Sequence, residues 1–136
     1  MKVIICGAGQ VGYNIARYLA YEENDVTVID QSAELIRKIS NTLDVKAFTG
    51  FASHPNVLAR AGAEDTDMLI AVTQADEVNI VACQVAHSLF DVTTKIARIR
   101  QLGYLDDKWA NLYSRDHVPI DVIISPELEI ANDIAR

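Results

Sequence analysis

The chain has 136 residues, half of them hydrophobic and 23% charged, which suits an ordinary globular protein with one domain, 1–136, and a real core. A net charge of −7 repels a phosphate backbone, so nucleic acid is disfavoured as a partner while small anionic ligands stay open. No apolar run approaches the ~20 residues of a membrane span, and Met1 leads at once into a strand pattern with no room for a signal peptide, so the chain reads as cytoplasmic.

Six apolar runs of strand length occur in order, at residues 3–6, 26–29, 45–48, 68–72, 96–99 and 122–124. They are rich in β-branched residues and nearly continuous, as expected of a parallel sheet covered on both faces. Between them the spacing is helical. Val11, Ile15 and Leu19 recur every four residues, as do Leu35, Ile39 and Leu43; Val78, Val81, Ala82, Val85 and Leu89 form a third stripe. These stripes are expected to face the sheet. Ser32, Ser53 with Pro55, and Asp76-Glu77 suit helix starts, and Gly62 suits a stop. Alternating strands and helices predict a Rossmann-type, doubly wound, six-stranded parallel sheet with the first strand central. The stretch 101–118 breaks the rhythm and is expected to hold a short helix over 106–113. A last helix opens at Pro126 and runs to Arg136 without a stop signal, as in a fragment of a longer chain. Cys6 and Cys83 lie in apolar patterns and read as small buried hydrophobes, not as a disulfide or a metal pair.

The chemistry concentrates in Gly7-Ala8-Gly9-Gln10-Val11-Gly12. A G-x-G-x-x-G string alone is weak, and three glycines can serve turn geometry only. Here the string follows a strand and opens an amphipathic helix, the context a dinucleotide-binding loop requires. Gly7 would allow the tight turn, Gly9 the approach of a pyrophosphate, and Gly12 close packing of helix on strand, with the helix N-terminus facing the phosphates. Asp30 closes the second strand, where an acid meets the adenosine ribose and repels a 2′-phosphate; NAD is thereby favoured over NADP, with ATP or ADP equally suited to the same acid. Thr73 and Gln74 follow the fourth strand on the edge that faces a ligand crevice. Arg98 and Arg100 stand two apart at the end of the fifth strand, and Arg98 calls for an anion, either a phosphate or a carboxylate such as Glu64 or Asp76. His54, His87 and His117 form no catalytic arrangement, so no catalytic residue is assigned and no metal site is expected.

More specific segments carry a family resemblance: residues 1–12; Gly50-Phe51-Ala52-Ser53-His54-Pro55-Asn56-Val57-Leu58; residues 61–73; Asp76-Glu77-Val78-Asn79; and Ile96-Ala97-Arg98-Ile99-Arg100. Over essentially its whole length the chain resembles the RCK (also called KTN) class, as found at the N-terminus of TrkA-type regulators of Trk potassium uptake. The resemblance implies a regulatory nucleotide-binding module without catalysis. Its implied ligands are NAD or NADH, and ATP or ADP at the same site. It further implies a homodimer or higher RCK ring, and a membrane partner of the TrkH or TrkG type at the inner face of the cell membrane. By position, residues 7–11 would hold the pyrophosphate, Asp30 the ribose, and Thr73 with Gln74 the nearby sugar and phosphate. Arg98 would reach the phosphates, with Arg100 second. The last strand and the 126–136 helix would serve the dimer contact and the crossover to a further domain. Gly50 and Phe51 close the third strand; Phe51 replaces the acidic or amide residue of many channel-linked members and would lie against the adenine. The rival readings are the cofactor half of an NAD-dependent dehydrogenase and an ATP-binding Rossmann variant.

Overall fold

The computed structural model describes residues 1–114 and 116–125; the helix expected over 126–136 lies outside them. In chain order the elements are β1 (Lys2–Cys6), α1 (Gln10–Tyr21), β2 (Asp25–Asp30), α2 (Ala33–Thr42), β3 (Lys46–Thr49), α3 (Pro55–Arg60), a 3₁₀ turn (Ala63–Asp65), β4 (Met68–Ala71), α4 (Asp76–Phe90), β5 (Thr94–Arg98), 3₁₀ segments Leu102–Leu105 and Asp107–Tyr113, and β6 (Val122–Ile124). The strands form one sheet in the order β3-β2-β1-β4-β5-β6, every pairing parallel. The doubly wound sheet with a central first strand is therefore as expected from the sequence.

Alternation along β1 explains why helices are needed on both sides. Val3 and Ile5 face one apolar layer with Ala16 of α1 and with Ile36 and Ile39 of α2. Ile4 and Cys6 face the other, with Leu58 of α3 and with Ala82, Cys83 and Ala86 of α4. All four β1 side chains are fully buried, and each such aliphatic side chain contributes about 1.5–3 kcal/mol of transfer free energy. Both cysteines are free and buried, and burial pushes the Cys83 thiol up to about 12.

Three expectations change. Val81 and Leu89 do not face the sheet: they are 43% and 62% exposed, while Asp76, Asn79, Ala82, Cys83 and Ala86 form the buried face of α4. Small residues let this helix approach the strands closely, while Val81 and Leu89 turn outward. The short helix expected over 106–113 is present as a 3₁₀ segment, Asp107–Tyr113, and not an α-helix, with a second 3₁₀ segment before it and no fully buried residue in either. Ser32 does cap α2, accepting a hydrogen bond from Leu35 N–H at 3.2 Å. At α3 the cap position belongs to His54, not Ser53, with Pro55 in the first turn. Gly62 ends that region in the left-handed conformation, at φ +91°.

Candidate functional site

Because every strand is parallel, their carboxyl ends share one edge of the sheet. There the chain leaves β1 toward one face and β4 toward the other, and a crevice opens between the departing segments. It has a volume of about 680 Å³ and is walled by the loop after β1, the ends of β2 and β3, the segment after β4, and Arg98.

The glycine loop is shaped by close approaches. Gly7 has φ +116°, and a Cβ there would lie 2.9 Å from the Val72 carbonyl oxygen. A Cβ on Gly12 would run into the carbonyl oxygen of Gly7, so only glycine lets α1 start this close to β1. Gly9 differs from both: a Cβ there would meet nothing within 4 Å, and its backbone is extended. It borders the crevice together with Gly7, Gln10 and Val11.

Hydrogen bonds narrow the part of this loop that can face an anion. Gly7 N–H donates to the Ile29 carbonyl at 2.7 Å and Ala8 N–H to Asp30 Oδ2 at 2.7 Å. The first intrahelical bond runs from Tyr13 N–H to the Gly9 carbonyl at 2.8 Å. The N–H groups of Gln10, Val11 and Gly12 thus precede the helical ladder, and α1 has neither a side-chain cap nor an acid in its first turn. Its positive end is undressed toward the crevice.

Asp30 lines the crevice at the end of β2. Its two oxygens accept from Ala8 N–H and, at 2.8 Å, from Ser32 N–H, which clamps the glycine loop to the start of α2 and fixes the carboxylate's direction. Each oxygen keeps a second lone pair for a ligand hydroxyl. Gly50 and Phe51 border the crevice after β3; Phe51 is 51% exposed, with its ring centroid 5.3 Å from that of His54. Thr73 and Gln74 border it after β4.

Among the crevice-lining residues only Asp30 and Arg98 are charged. They stand on β2 and β5 with β1 and β4 between them, about three strand spacings or roughly 14 Å across the sheet. Among the described residues, Arg98 Nε is the single buried side-chain nitrogen or oxygen without a hydrogen-bond partner. Of the two carboxylates considered for it, Glu64 and Asp76, the second is engaged elsewhere, accepting from Arg100 N–H at 2.9 Å and Gln101 N–H at 2.7 Å.

Three of the expected residues do not line the crevice. Ala8 is buried beneath the loop, Gly12 packs against Gly7, and Arg100 is exposed past the end of β5. Arg100 borders a neighbouring depression with Glu77, Gln101 and Tyr104. Conversely, Leu35 and Val78, read from the sequence as sheet-facing, line the crevice from the first turns of α2 and α4. Asn79 and Asp76 were also missed as organisers of the site, although they lie in one of the segments carrying the family resemblance.

The TrkA-N domain family model matches residues 3–126. The chain belongs to this family. Across all 136 residues it is 59% identical to the "Trk system potassium uptake protein TrkA" of Azorhizobium caulinodans, and 54% identical to that of Halomonas elongata, covering 30% and 29% of their lengths. It thus spans under a third of the curated relatives it matches. The TrkA-N domain of the inner membrane protein ybaL from Escherichia coli superposes with a TM-score of 0.82 at 18% identity, covering 98% of this chain and 93% of that one. The Shewanella denitrificans Kef CTD in AMP-bound form gives 0.72 at 23% identity (98% and 77% covered), and the GsuK channel bound to NAD gives 0.71 at 17% (90% and 21%). These similarities confirm the TrkA-N membership and the Rossmann-type fold.

Proposed function

We propose that this TrkA-N domain is the nucleotide-sensing part of a regulatory protein of Trk potassium uptake, and that its crevice holds NAD or NADH, with ADP or ATP competing for the same place. The observation that carries the reading is the buried, unpartnered Arg98 Nε at one end of a crevice whose other end is Asp30. A buried guanidinium nitrogen without an acceptor costs about 1–3 kcal/mol, and a phosphate oxygen supplies the missing acceptor. The residues fit the ligand from end to end. Asp30 accepts the ribose hydroxyls, the N–H groups from Gly9 to Gly12 and Arg98 hold the pyrophosphate, Phe51 lies against the adenine, and Thr73 with Gln74 meets the next sugar. Arg100 is left out of the phosphate contacts. NAD in one solved neighbour and AMP in another support nucleotide chemistry in this fold.

The names of the relatives support a regulator of potassium uptake over a dehydrogenase. As the regulator's partner we infer a membrane subunit of the TrkH or TrkG type, met from the cytoplasmic side by a homodimer or larger ring of these domains. No helix among the described residues is long and apolar enough to cross a membrane. The deciding experiment is calorimetric titration with NAD, NADH, NADP, ADP and ATP. Saturable binding of NAD or NADH, with NADP rejected, supports the reading; no binding by any of the five refutes it.

A further inference from the structure

Asn79 is fully buried, yet it is polar and lies in the first turns of α4. Its side-chain amide is saturated. Oδ1 accepts from Thr73 N–H at 2.9 Å and from the Thr73 hydroxyl at 2.6 Å; Nδ2 donates to the Thr73 carbonyl at 3.1 Å and the Arg98 carbonyl at 2.8 Å. These partners fix the orientation of the amide, since an N–H needs the oxygen and a carbonyl needs the NH₂. The β4–β5 ladder ends at the pair Ala71 and Ala97. Immediately beyond, where β4 and β5 stop pairing with each other, Asn79 takes over and ties the end of β4 to the end of β5.

We propose that Asn79 is a positioning residue for nucleotide phosphates, acting through Arg98. This rests on the nucleotide-binding reading of the crevice. Packing alone would be served by an apolar side chain, and burying an amide is favourable only when every group is satisfied. What distinguishes Asn79 from a generic buried amide is the residue its donor selects. It holds the backbone of Arg98, whose Nε is the buried nitrogen left unpaired at the crevice. Through Thr73 the same amide also holds the neighbouring lip after β4, because Thr73 lines the crevice and its hydroxyl is occupied with Asn79 and the Ala75 carbonyl. Backbone position at the strand end therefore decides where the guanidinium enters, and a small relaxation there withdraws it from a phosphate.

The test compares ADP with adenosine, which offers the same base and ribose and no phosphate. Affinities are measured by calorimetry on the full chain carrying Asn79→Leu, Asn79→Ser, Arg98→Ala and the Asn79→Leu/Arg98→Ala pair. If the Leu variant does not fold, Asn79→Ser and its pair with Arg98→Ala take its place. Either Asn79 variant is expected to weaken ADP roughly ten-fold and adenosine less than about two-fold, and to add less than about two-fold once Arg98 is absent. Equal losses for ADP and adenosine, or full additivity with Arg98→Ala, would overturn the inference and leave Asn79 a structural amide only. A wild-type chain that binds neither ligand would instead defeat the nucleotide reading, and this inference with it.

Discussion

Replacing Gly9 by alanine separates binding from folding more cleanly than any other change in this loop. Gly9 has φ −72° and ψ −165°, a conformation alanine adopts without strain, and its Cβ would meet no atom within 4 Å. Removing a glycine from the unfolded ensemble stabilises a protein by about 0.4–1 kcal/mol when the native conformation tolerates the change. For a domain of this size that raises Tm by about 1–4 °C. A methyl group at the open end of α1 would, however, stand where, on the proposed reading, a pyrophosphate approaches the N–H groups of Gln10 and Val11. Losing two hydrogen bonds to a charged group, at about 1.5–3 kcal/mol each, lowers affinity by at least roughly 100-fold. Gly12→Ala is the control: its Cβ runs into backbone at Gly7, so it should cost at least about 2 kcal/mol of stability. Thermal unfolding and NAD titration of both variants give the answer. A Gly9→Ala chain that unfolds as early as Gly12→Ala, or that binds NAD like wild type, would show the reasoning about this loop to be wrong.

Three further perturbations test other joints of the structure. Asp30→Asn can satisfy only one of the two N–H groups that the carboxylate now accepts, so urea unfolding should show a loss of about 1–3 kcal/mol; the lost charge should also relax discrimination against NADP, and unchanged NADP rejection would contradict the assigned role. Asp76→Ala frees the N–H groups of Arg100 and Gln101, and hydrogen exchange should quicken at those two amides; unaltered protection there would refute the clamp. The Cys83 thiol is raised from 9.0 to about 12, so the folded state keeps a proton that the unfolded state releases above pH 9. Its contribution is intact below pH 9 and is lost as pH rises toward 12, at about 1.4 kcal/mol per pH unit. Unfolding measured from pH 8 to 11 should show a shallower decline in Cys83→Ala than in wild type, and identical slopes would speak against that assignment.

The sheet was readable from the sequence because six β-branched runs alternate with helical spacing, and handedness then leaves few ways to wind them. The glycine loop and Asp30 were readable because their spacing belongs to one local unit, a strand, a turn, a helix and the next strand. What escaped depends on contacts between distant elements. Arg98 and Arg100 look equivalent as a pair two residues apart, but β5 ends at Arg98, and the Asp76 clamp turns the next segment away from the crevice. Val81 and Leu89 satisfied the helical period, yet closeness to the sheet selected the small face beside them. A buried Lys95 was also unforeseen. Its Nζ is held by the Val92 and Thr93 carbonyls and lies 3.5 Å from Asp121, across the loop that leads into β6. No period marks such a residue, since its burial is tolerable only once the turn before β5 and the segment before β6 converge on it.

The two charged ends of the crevice also constrain how a nucleotide can act as a signal. A ligand shifts an equilibrium only by its differential affinity for two arrangements. Adenosine alone would engage the β2 and β3 side, through Asp30 and Phe51, and leave the β5 side untouched. Phosphates would add the start of α1 and Arg98, so that one molecule would grip elements on both sides of the β1–β4 junction. Arg98 is tied through Asn79 to α4, and α4 through Asp76 to the segment after β5. A force on Arg98 would therefore pass to residues 100–113, on the same side of the sheet as the edge strand β6. On this argument hydrogen exchange over 100–113 should slow with ADP or NAD and stay unchanged with adenosine. Equal protection by all three would mean that ribose binding alone orders the domain and that the phosphate arm carries no signal.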